Sequence, residues 1–438
     1  MIHEALEKIV AGEDLTRGEL EAVMEEFRIG RATANQMRAL CTALMMKGMT
    51  KDEEAVFQSA GNEHAVETST RGTEEAIALG PGDLTLVTQM IVGRGDDLSR
   101  REAEAAMEEI LSGRADDASI ISFLTALRFK GETLDELVGF ATAMRRHATP
   151  IFPGRSRIAD EALVDTCGTG GDASGTFNVS TAAAFVVAGA GVRVAKHGNR
   201  SISSRCGSAD VLEQLGVRID LPAERVAAAI DEIGIGFLFA PAVHAATWHA
   251  MTARRELKMR TVFNLLGPLT NPAGASAQVV GVYDESYTEL LARALGELGV
   301  KRAFVVHGAD GLDEISISGE TCVAELRDGL VRSLTLTPED FGLHRAPLDE
   351  IRGGDAQRNA EIIHKILGRS MLYRDHGPHR EIVLANASAA LVAAGRAADF
   401  IEGVHLATKS IDSGAAREKL DALVAFSQAD KGHSQTAT

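Results

Sequence analysis

The sequence predicts an α/β protein: a small all-helical domain, then a larger α/β domain with a mainly parallel central sheet and surrounding helices. Three observations carry this reading. Apolar residues recur at helical spacing through the first 150 residues. From about residue 160, short β-rich runs alternate with helical ones, the pattern of a parallel sheet with helices on its faces. The composition, with 45% hydrophobic but only 4% aromatic residues and 43 Gly, is typical of Ala/Gly/Val-rich α/β enzymes. At 438 residues the chain is too long for one ordinary domain.

The helical part contains a repeat. Leu15-Thr-Arg-Gly-Glu-Leu-Glu-Ala-Val-Met-Glu-Glu26 matches Leu98-Ser-Arg-Arg-Glu-Ala-Glu-Ala-Ala-Met-Glu-Glu109, at an offset of 83. Gly30-Arg-Ala32 and Gly113-Arg-Ala115, Thr42-Ala-Leu44 and Thr125-Ala-Leu127, and Lys47-Gly48 and Lys130-Gly131 keep the same register. A duplicated module is the reading. In each copy apolar residues follow i, i+3, i+4, i+7: Leu20, Val23, Met24 and Phe27; Met37, Leu40, Cys41 and Leu44; Ile120, Phe123, Leu124 and Leu127. Thr16 and Ser99 each precede a Glu (Glu19, Glu102) by capping-box spacing. Between the copies, Ser69–Asp83 carries Gly72, Gly80, Pro81 and Gly82, a linker composition. The domains expected are an extra helical module over 1–68, a linker over 69–85, a helical domain over 86–150, an α/β domain over 151–428 and a disordered polar tail over 429–438. The apolar stripes of the extra copy must be buried, so it should pack on the second copy or on a partner subunit.

In the α/β part the expected strands are Ala162–Thr166, Val192–Lys196, Phe237–Ala240, Gln278–Tyr283 and Arg302–His307. Expected helices are Thr181–Gly189, capped by Ser180 or Thr181, with Ser208–Leu215, Ala245–Leu257 and several in the Ala-rich stretch 355–426. The run Arg260–Pro272, where Asn and Gly-Pro elements interrupt apolar residues, reads as a shaped, ordered loop.

Charge and cysteines narrow the function. A net charge of −17 argues against general nucleic-acid or anionic-membrane binding. Cys41, Cys167, Cys206 and Cys322 form no C-x-x-C pair and no Cys/His cluster, so neither a disulfide framework nor a zinc site is indicated. The N-terminus reads as lacking a signal peptide, and the longest apolar stretch is too short and Gly-rich to span a bilayer. A reduced, cytoplasmic location is expected.

Residues 165–210 carry the chemistry: Asp165-Thr-Cys-Gly-Thr-Gly-Gly-Asp172, Asn178-Val-Ser-Thr181, Lys196-His-Gly-Asn-Arg200 and Gly207-Ser-Ala-Asp210. Glycines let backbone N–H groups approach oxygens, while hydroxyls and a lysine supply donors and charge. Together they suit a phosphorylated, magnesium-bearing ligand. Gly168–Ala173 formally matches a dinucleotide fingerprint. Polar residues 174–180 intervene before the helix, however, and no carboxylate stands where the ribose acid should be. Asn178, Ser180 and Thr181 lie where the next helix begins, a place that caps a helix and suits a phosphate. Lys196 ends a strand, at the edge where α/β sheets bind ligands. Asp313-Glu314 follows a strand and a Gly-Ala-Asp-Gly turn; beside a pyrophosphate it becomes a Mg2+ anchor, elsewhere solvated surface. Arg254-Arg255 on its helix reads as a solvated or salt-bridged face.

In combination these motifs, with Arg260–Pro272 and Gly311-Leu-Asp-Glu314, resemble the anthranilate phosphoribosyltransferase family over roughly residues 86–428. The resemblance implies a helical domain joined to an α/β domain, usually in a homodimer through the helical parts. It implies transfer of the phosphoribosyl group of 5-phosphoribosyl 1-diphosphate to the amine of anthranilate, in tryptophan biosynthesis. Gly168, Gly171, Asp172, Thr176, Asn178, Val179, Ser180, Thr181, Lys196, His197, Gly198, Asn199, Arg200, Ser201, Ile202, Ser203, Ser204 and Ser208 would hold the phosphoribosyl substrate. Ser180, Asp313 and Glu314 would hold Mg2+. Gly168, His197, Asn199, Arg254 and Pro268 would line the anthranilate route, Arg254 pairing with its carboxylate. No residue stands out as a general base.

Three features depart from the family. Cys206 replaces a common serine. Ala245-Ala-Thr-Trp248 replaces a common Pro-Ala-Met-Lys, bordering the acceptor's route, and the first helical copy is additional. The competing readings are a pyrimidine nucleoside phosphorylase of the same fold, opposed by the absence of a Lys-x-Ser-Gly-Arg-Gly signature, and a non-catalytic nucleic-acid-binding relative, opposed by the acidic charge.

Overall fold

A computed structural model describes residues 1–61, 83–153, 161–172, 174–201, 205–368 and 377–429. The chain divides into two compact units, Met1–His147 with Ala245–Leu266, and Ala148–His244 with Gly267–Thr438.

The helical unit shows the repeat helix by helix. The first copy comprises α1 (Ile2–Val10), α2 (Arg17–Arg28), α3 (Ala34–Lys47) and α4 (Lys51–Gly61); the second comprises α5 (Leu84–Arg94), α6 (Arg100–Leu111), α7 (Asp117–Lys130) and α8 (Leu134–His147). Both expected capping boxes are present: Thr16 Oγ1 accepts the Glu19 N–H, Ser99 Oγ accepts the Glu102 N–H, and each Glu returns to the cap's own N–H. The α3 helix packs on α7, its own counterpart in the other copy.

One buried lock is built twice. Lys130 Nζ reaches Glu136 at 3.0 Å and Asp97 at 2.8 Å, while the Glu136 carboxylate also accepts the N–H groups of Leu98 (2.9 Å) and Thr133 (2.8 Å). Lys47, Glu53, Asp14, Leu15 and Thr50 repeat this arrangement at 3.0, 2.5, 3.0 and 2.8 Å. Glu53 and Glu136 are 1% and 0% exposed. Burial opposes ionisation of Glu53, yet the Thr50 and Leu15 N–H groups and Lys47 hold its pKa below the ordinary value.

The α/β unit is a seven-stranded sheet in the order β3-β2-β1-β4-β5-β6-β7. Along the chain, β1 (Leu163–Gly168), α9 (Val179–Gly189), β2 (Arg193–Gly198), α10 (Ser208–Gln214), α11 (Ala223–Glu232) and β3 (Ile235–Phe239) come first, followed by the short α12 (Ala240–Val243). The 3-10 helix Ala245–Ala250 and α13 (Met251–Leu257) then belong to the helical unit, and α14 (Val262–Leu269) leads back to β4 (Ala277–Gly281), α15 (Tyr287–Glu297) and β5 (Arg302–Gly308). A hairpin of β6 (Thr321–Arg327) and β7 (Leu330–Leu336) and the helices α16 (Ala356–Leu367), α17 (Pro378–Ala393), α18 (Phe400–Asp412) and α19 (Ala415–Gln428) complete it.

Five strands are parallel and the hairpin is antiparallel. The β1 strand pairs with β2 on one side and β4 on the other, so strand order reverses at its carboxyl end, where open α/β sheets bind ligands. The α9 helix is apolar all round, and Thr181–Ala188 is at most 1% exposed, packed between the sheet and α17, α18 and α19.

Several expectations change. The segment Ala245–Leu266, expected inside the α/β domain, packs with the helices because Ala250, Ala253 and Leu257 present a buried stripe to them. The supposed loop Arg260–Pro272 contains a helix: Val262, Leu265, Leu266 and Leu269 stand at helical spacing, all at most 1% exposed, and their burial outweighs Gly267 and Pro268. The β6–β7 hairpin was not foreseen. The linker up to residue 82 and the tail from residue 430 lie outside the described residues, whereas Asp83 already caps α5 through the Thr85 and Leu86 N–H groups. Among the described residues no helix is long and apolar enough to cross a membrane.

The duplicated lock makes a stability prediction. Glu136→Ala takes from Lys130 its buried carboxylate and from the Leu98 and Thr133 N–H groups their acceptor, and should destabilise the helical unit by about 3–5 kcal/mol. Glu53→Ala should do the same in the first copy, and urea unfolding followed by circular dichroism measures both.

Candidate active site

The site lies in the α/β unit at the carboxyl ends of β1 and β2. β1 ends at Gly168, and Gly170 and Gly171 follow at φ +68° and +82°, a left-handed turn that side chains rarely adopt. The Gly170 N–H donates to Asp313 Oδ2 at 3.0 Å. The Ser180 N–H, in the first turn of α9, donates to Glu314 Oε1 at 3.0 Å. The two carboxylates therefore reach the glycine turn and the positive end of a helix dipole.

Lys196 is 3% exposed. Its Nζ donates to the Thr166 carbonyl and to Ser180 Oγ, the latter at 3.3 Å. Burial lowers its pKa, opposed by the charges of Asp165, Cys167 and Glu314. Burial raises Asp313 well above the ordinary carboxylate value, with the neighbouring charges of Asp172 and Glu314 adding to it. Burial likewise raises Glu314 to about 7, against the pull of Lys196 and the Ser180 N–H. Carboxylates that repel one another in a half-buried place gain from a hard divalent cation. No group of three or more His, Cys, Asp or Glu side chains among the described residues forms a metal cage.

The other expected residues divide into groups. Ser174 Oγ donates to Asp172 and lies 3.2 Å from Thr176 Oγ1. Asn178 is the N-cap residue of α9, but its side chain does not cap: Nδ2 donates to the Cys206 carbonyl (3.1 Å), and Oδ1 accepts from Asn359 (3.0 Å) and the Cys206 thiol (3.3 Å). Nor do Ser180 and Thr181 serve as caps, since α9 already starts at Val179. The side chain of Val179 belongs to the core, leaving only its backbone for a ligand. Thr181 Oγ1 is buried with no partner among the described residues. Gly198 ends β2, and the Asn199 carbonyl accepts from the Ala209 N–H (3.1 Å) and Ser208 Oγ (3.3 Å). Arg200 pairs with Asp210 and Glu213, and the Ser201 N–H donates to Asp210. Ile202, Ser203 and Ser204 lie outside the described residues.

On the opposite face of β1, Asp165 is fully buried. Its carboxylate accepts the His197 N–H at 3.0 Å and Asn271 Nδ2 at 2.8 Å. His197 Nδ1 is 3.2 Å from the Gly267 carbonyl, and Gln278 Nε2 donates to the Pro268 carbonyl at 3.0 Å. His197 Nε2 is buried and has no partner among the described residues, while the ring stands 5.1 Å from that of His244. Burial lowers the His197 pKa and drives His244 down to about 3.

Arg254, in the helical unit, lies 4.9 Å over the Phe263 ring. It forms no ion pair among the described residues, and burial alone lowers its pKa to about 10. This replaces the solvated or salt-bridged helix face considered for it from sequence.

Three residues were given no role from sequence. Asp165 and Asn271 meet only through the fold, although a carboxylate inside an apolar strand was a signal. Gly281 sits within β4, where a Cβ would stand 1.5 Å from the Asp313 carbonyl oxygen, and a glycine inside a strand marks such an approach.

A glycosyl transferase family α/β-domain model matches residues 160–417. The helical-bundle domain model of the same family matches twice, at 3–65 and 90–148. Anthranilate phosphoribosyltransferase of Solibacter usitatus is 57% identical over 329 residues, covering 75% of this chain and 94% of the relative.

The chain belongs to the anthranilate phosphoribosyltransferase family.

The Moorella thermoacetica member is 55% identical over 332 residues, 76% of this chain and 95% of its own. The crystal structure of the Thermus thermophilus member superposes with a TM-score of 0.72 at 44% identity, covering 78% of this chain and 99% of its own. The Saccharomyces cerevisiae member, in complex with phosphoribosyl diphosphate and Mg, gives 0.69 at 28% identity, covering 79% and 98%. These relatives are matched almost end to end by about three quarters of this chain.

Glu314 supplies a pH prediction. With its folded pKa near 7 and an ordinary value near 4.5, the folded chain binds the extra proton between those values. Stability of the ligand-free protein should therefore fall as pH rises from 5 to 8, by about 1–2 kcal/mol after allowance for solvent screening. Glu314→Gln should flatten that slope in urea titrations at each pH.

Proposed function

We propose that the Gly168–Asp172 turn, the start of α9, Lys196 and the Asp313–Glu314 pair form the phosphoribosyl diphosphate half of the active site. The reaction is that of the family: the phosphoribosyl group passes from 5-phosphoribosyl 1-diphosphate to the amine of anthranilate, giving N-(5-phosphoribosyl)anthranilate and pyrophosphate, in tryptophan biosynthesis. The observation that carries this assignment is the delivery of two carboxylates to the Gly170 and Ser180 N–H groups beside the buried Lys196.

The chemistry follows from charge. As the amine nitrogen bonds to C1, the C1–O bond to pyrophosphate breaks and its electron pair leaves with the diphosphate. Negative charge grows there while the ribosyl carbon becomes cationic. Lys196 and the glycine-turn and helix N–H groups stabilise that growing charge. Asp313, Glu314 and Ser180 are the residues that would hold Mg2+, which when bound neutralises diphosphate oxygens. Gly171, Asp172, Thr176, Asn178–Thr181, Gly198–Ser204 and Ser208 complete the binding loops; His197, Asn199 and Pro268 face the acceptor. Arg254 would pair with the carboxylate of anthranilate, in keeping with a half-buried guanidinium that has no ion pair among the described residues.

The resemblance implies a homodimer through the helical parts; in this chain α3 covers α7, and Met45 and Met49 of the first copy are 57% and 40% exposed. Cytoplasmic placement accords with four cysteines that form no disulfide among the described residues.

Protein, Mg2+, phosphoribosyl diphosphate and anthranilate together should quench anthranilate fluorescence. No quench, with phosphorolysis of thymidine or uridine instead, overturns the assignment. Arg254→Ala should raise KM for anthranilate roughly ten- to hundredfold, with little effect on KM for phosphoribosyl diphosphate. Joint replacement of Asp313 and Glu314 by Ala should abolish Mg2+-dependent turnover in the same assay.

A further inference from the structure

The extra helical copy supplies no residue to the chemistry above, but its hydrogen bonds show where it acts. The α13 helix ends at Leu257, and Lys258 follows in a left-handed conformation at φ 49°. The last carbonyls of a helix have no partners within it. The first copy takes two of them here. His3 Nδ1 lies 3.1 Å from the Leu257 carbonyl, and Gln36 Nε2 donates to the Glu256 carbonyl at 3.2 Å. Thr33 Oγ1 donates to the Glu256 carboxylate at 2.9 Å.

These contacts form one connected set. Gln36 Nε2 also faces His3 Nε2 at 3.4 Å, which assigns the His3 proton to Nδ1, pointing at Leu257. Gln36 Oε1 accepts the Thr33 N–H at 2.9 Å within the capping box of α3. Both ends of a 9% exposed amide are thus used.

The gripping residues are ones the copies do not share. At the offset of 83, His3, Thr33 and Gln36 correspond to Leu86, Asp116 and Ser119. The scaffold residues, including both buried Lys–Glu locks, are shared. In the second copy Asp116 and Ser119 simply cap α7.

The gripped helix carries Arg254, whose carbonyl accepts the Lys258 N–H at 3.2 Å, one turn from the clamp. We infer that the extra helical copy is a positioning module for the acceptor: it grips the C-terminal turn of α13 and thereby sets Arg254 for the carboxylate of anthranilate. This rests on the assignment of Arg254 made above.

The test uses the full chain with two variants. One grafts the second copy's residues (His3→Leu, Thr33→Asp, Gln36→Ser), a set already able to cap a helix. The other is Gln36→Glu, which keeps the acceptor for Thr33 and loses the donor to Glu256. Each should raise KM for anthranilate roughly three- to tenfold, while kcat and KM for phosphoribosyl diphosphate stay within about twofold. In an Arg254→Ala background the graft should add nothing. Unchanged KM for anthranilate in both variants, when Arg254→Ala raises it, overturns the positioning role alone. A joint rise for both substrates, or a full additional effect in the Arg254→Ala background, overturns it as well. If Arg254→Ala itself leaves KM for anthranilate unchanged, the Arg254 assignment falls.

Discussion

The α/β half of this protein depends on bringing two carboxylates to a place that does not welcome them. Asp313 and Glu314 reach the ends of β1 and α9, where the positive things nearby are two backbone N–H groups and Lys196. Burial and mutual repulsion raise both carboxyl pKa values. The sheet is shaped to permit the approach, with Gly281 leaving no room for even a methyl group beside Asp313. The buried α9 helix holds its first turn against that pair through core packing. The site is electrostatically unbalanced: two neighbouring carboxyl groups are held against burial and mutual repulsion with little positive charge to answer them.

The sheet's other face solves a different problem. Asp165, Asn271, Gln278 and the His197 backbone tie the Gly267–Asn271 segment to the strands without any ligand. One face of β1 therefore meets the start of α9 and Lys196, and the other fixes the segment that contains Pro268. Neighbouring residues of one strand divide the labour because their side chains alternate across the sheet.

Much of this was legible in the sequence, and the losses have physical causes. The repeat, its capping boxes and the parallel strands rest on local spacing, and they stand where spacing puts them. The β6–β7 hairpin has a local signal of its own: Asp328-Gly329, both at positive φ, joins two alternating runs. Helix α14 was hidden because Gly267 and Pro268 are strong local breakers, while the burial that overrides them comes from distant residues. The cap expected of Ser180 or Thr181 failed because the first-turn N–H found Glu314, 134 residues away. Asn178 is tied to Cys206 and Asn359 for the same kind of reason. Nothing local announces such partners.

The twofold lock carries a further consequence. Glu53 and Glu136 occupy the same place in their copies, accept the same pair of backbone N–H groups and meet the same lysine. During folding, α4 could therefore close on α6 in place of α2 with little local penalty, since the docking ends are interchangeable. Discrimination between right and crossed pairings is left to positions where the copies have drifted apart. Divergence after duplication thus acts as an address label: it tells each helix which of two nearly identical docks is its own.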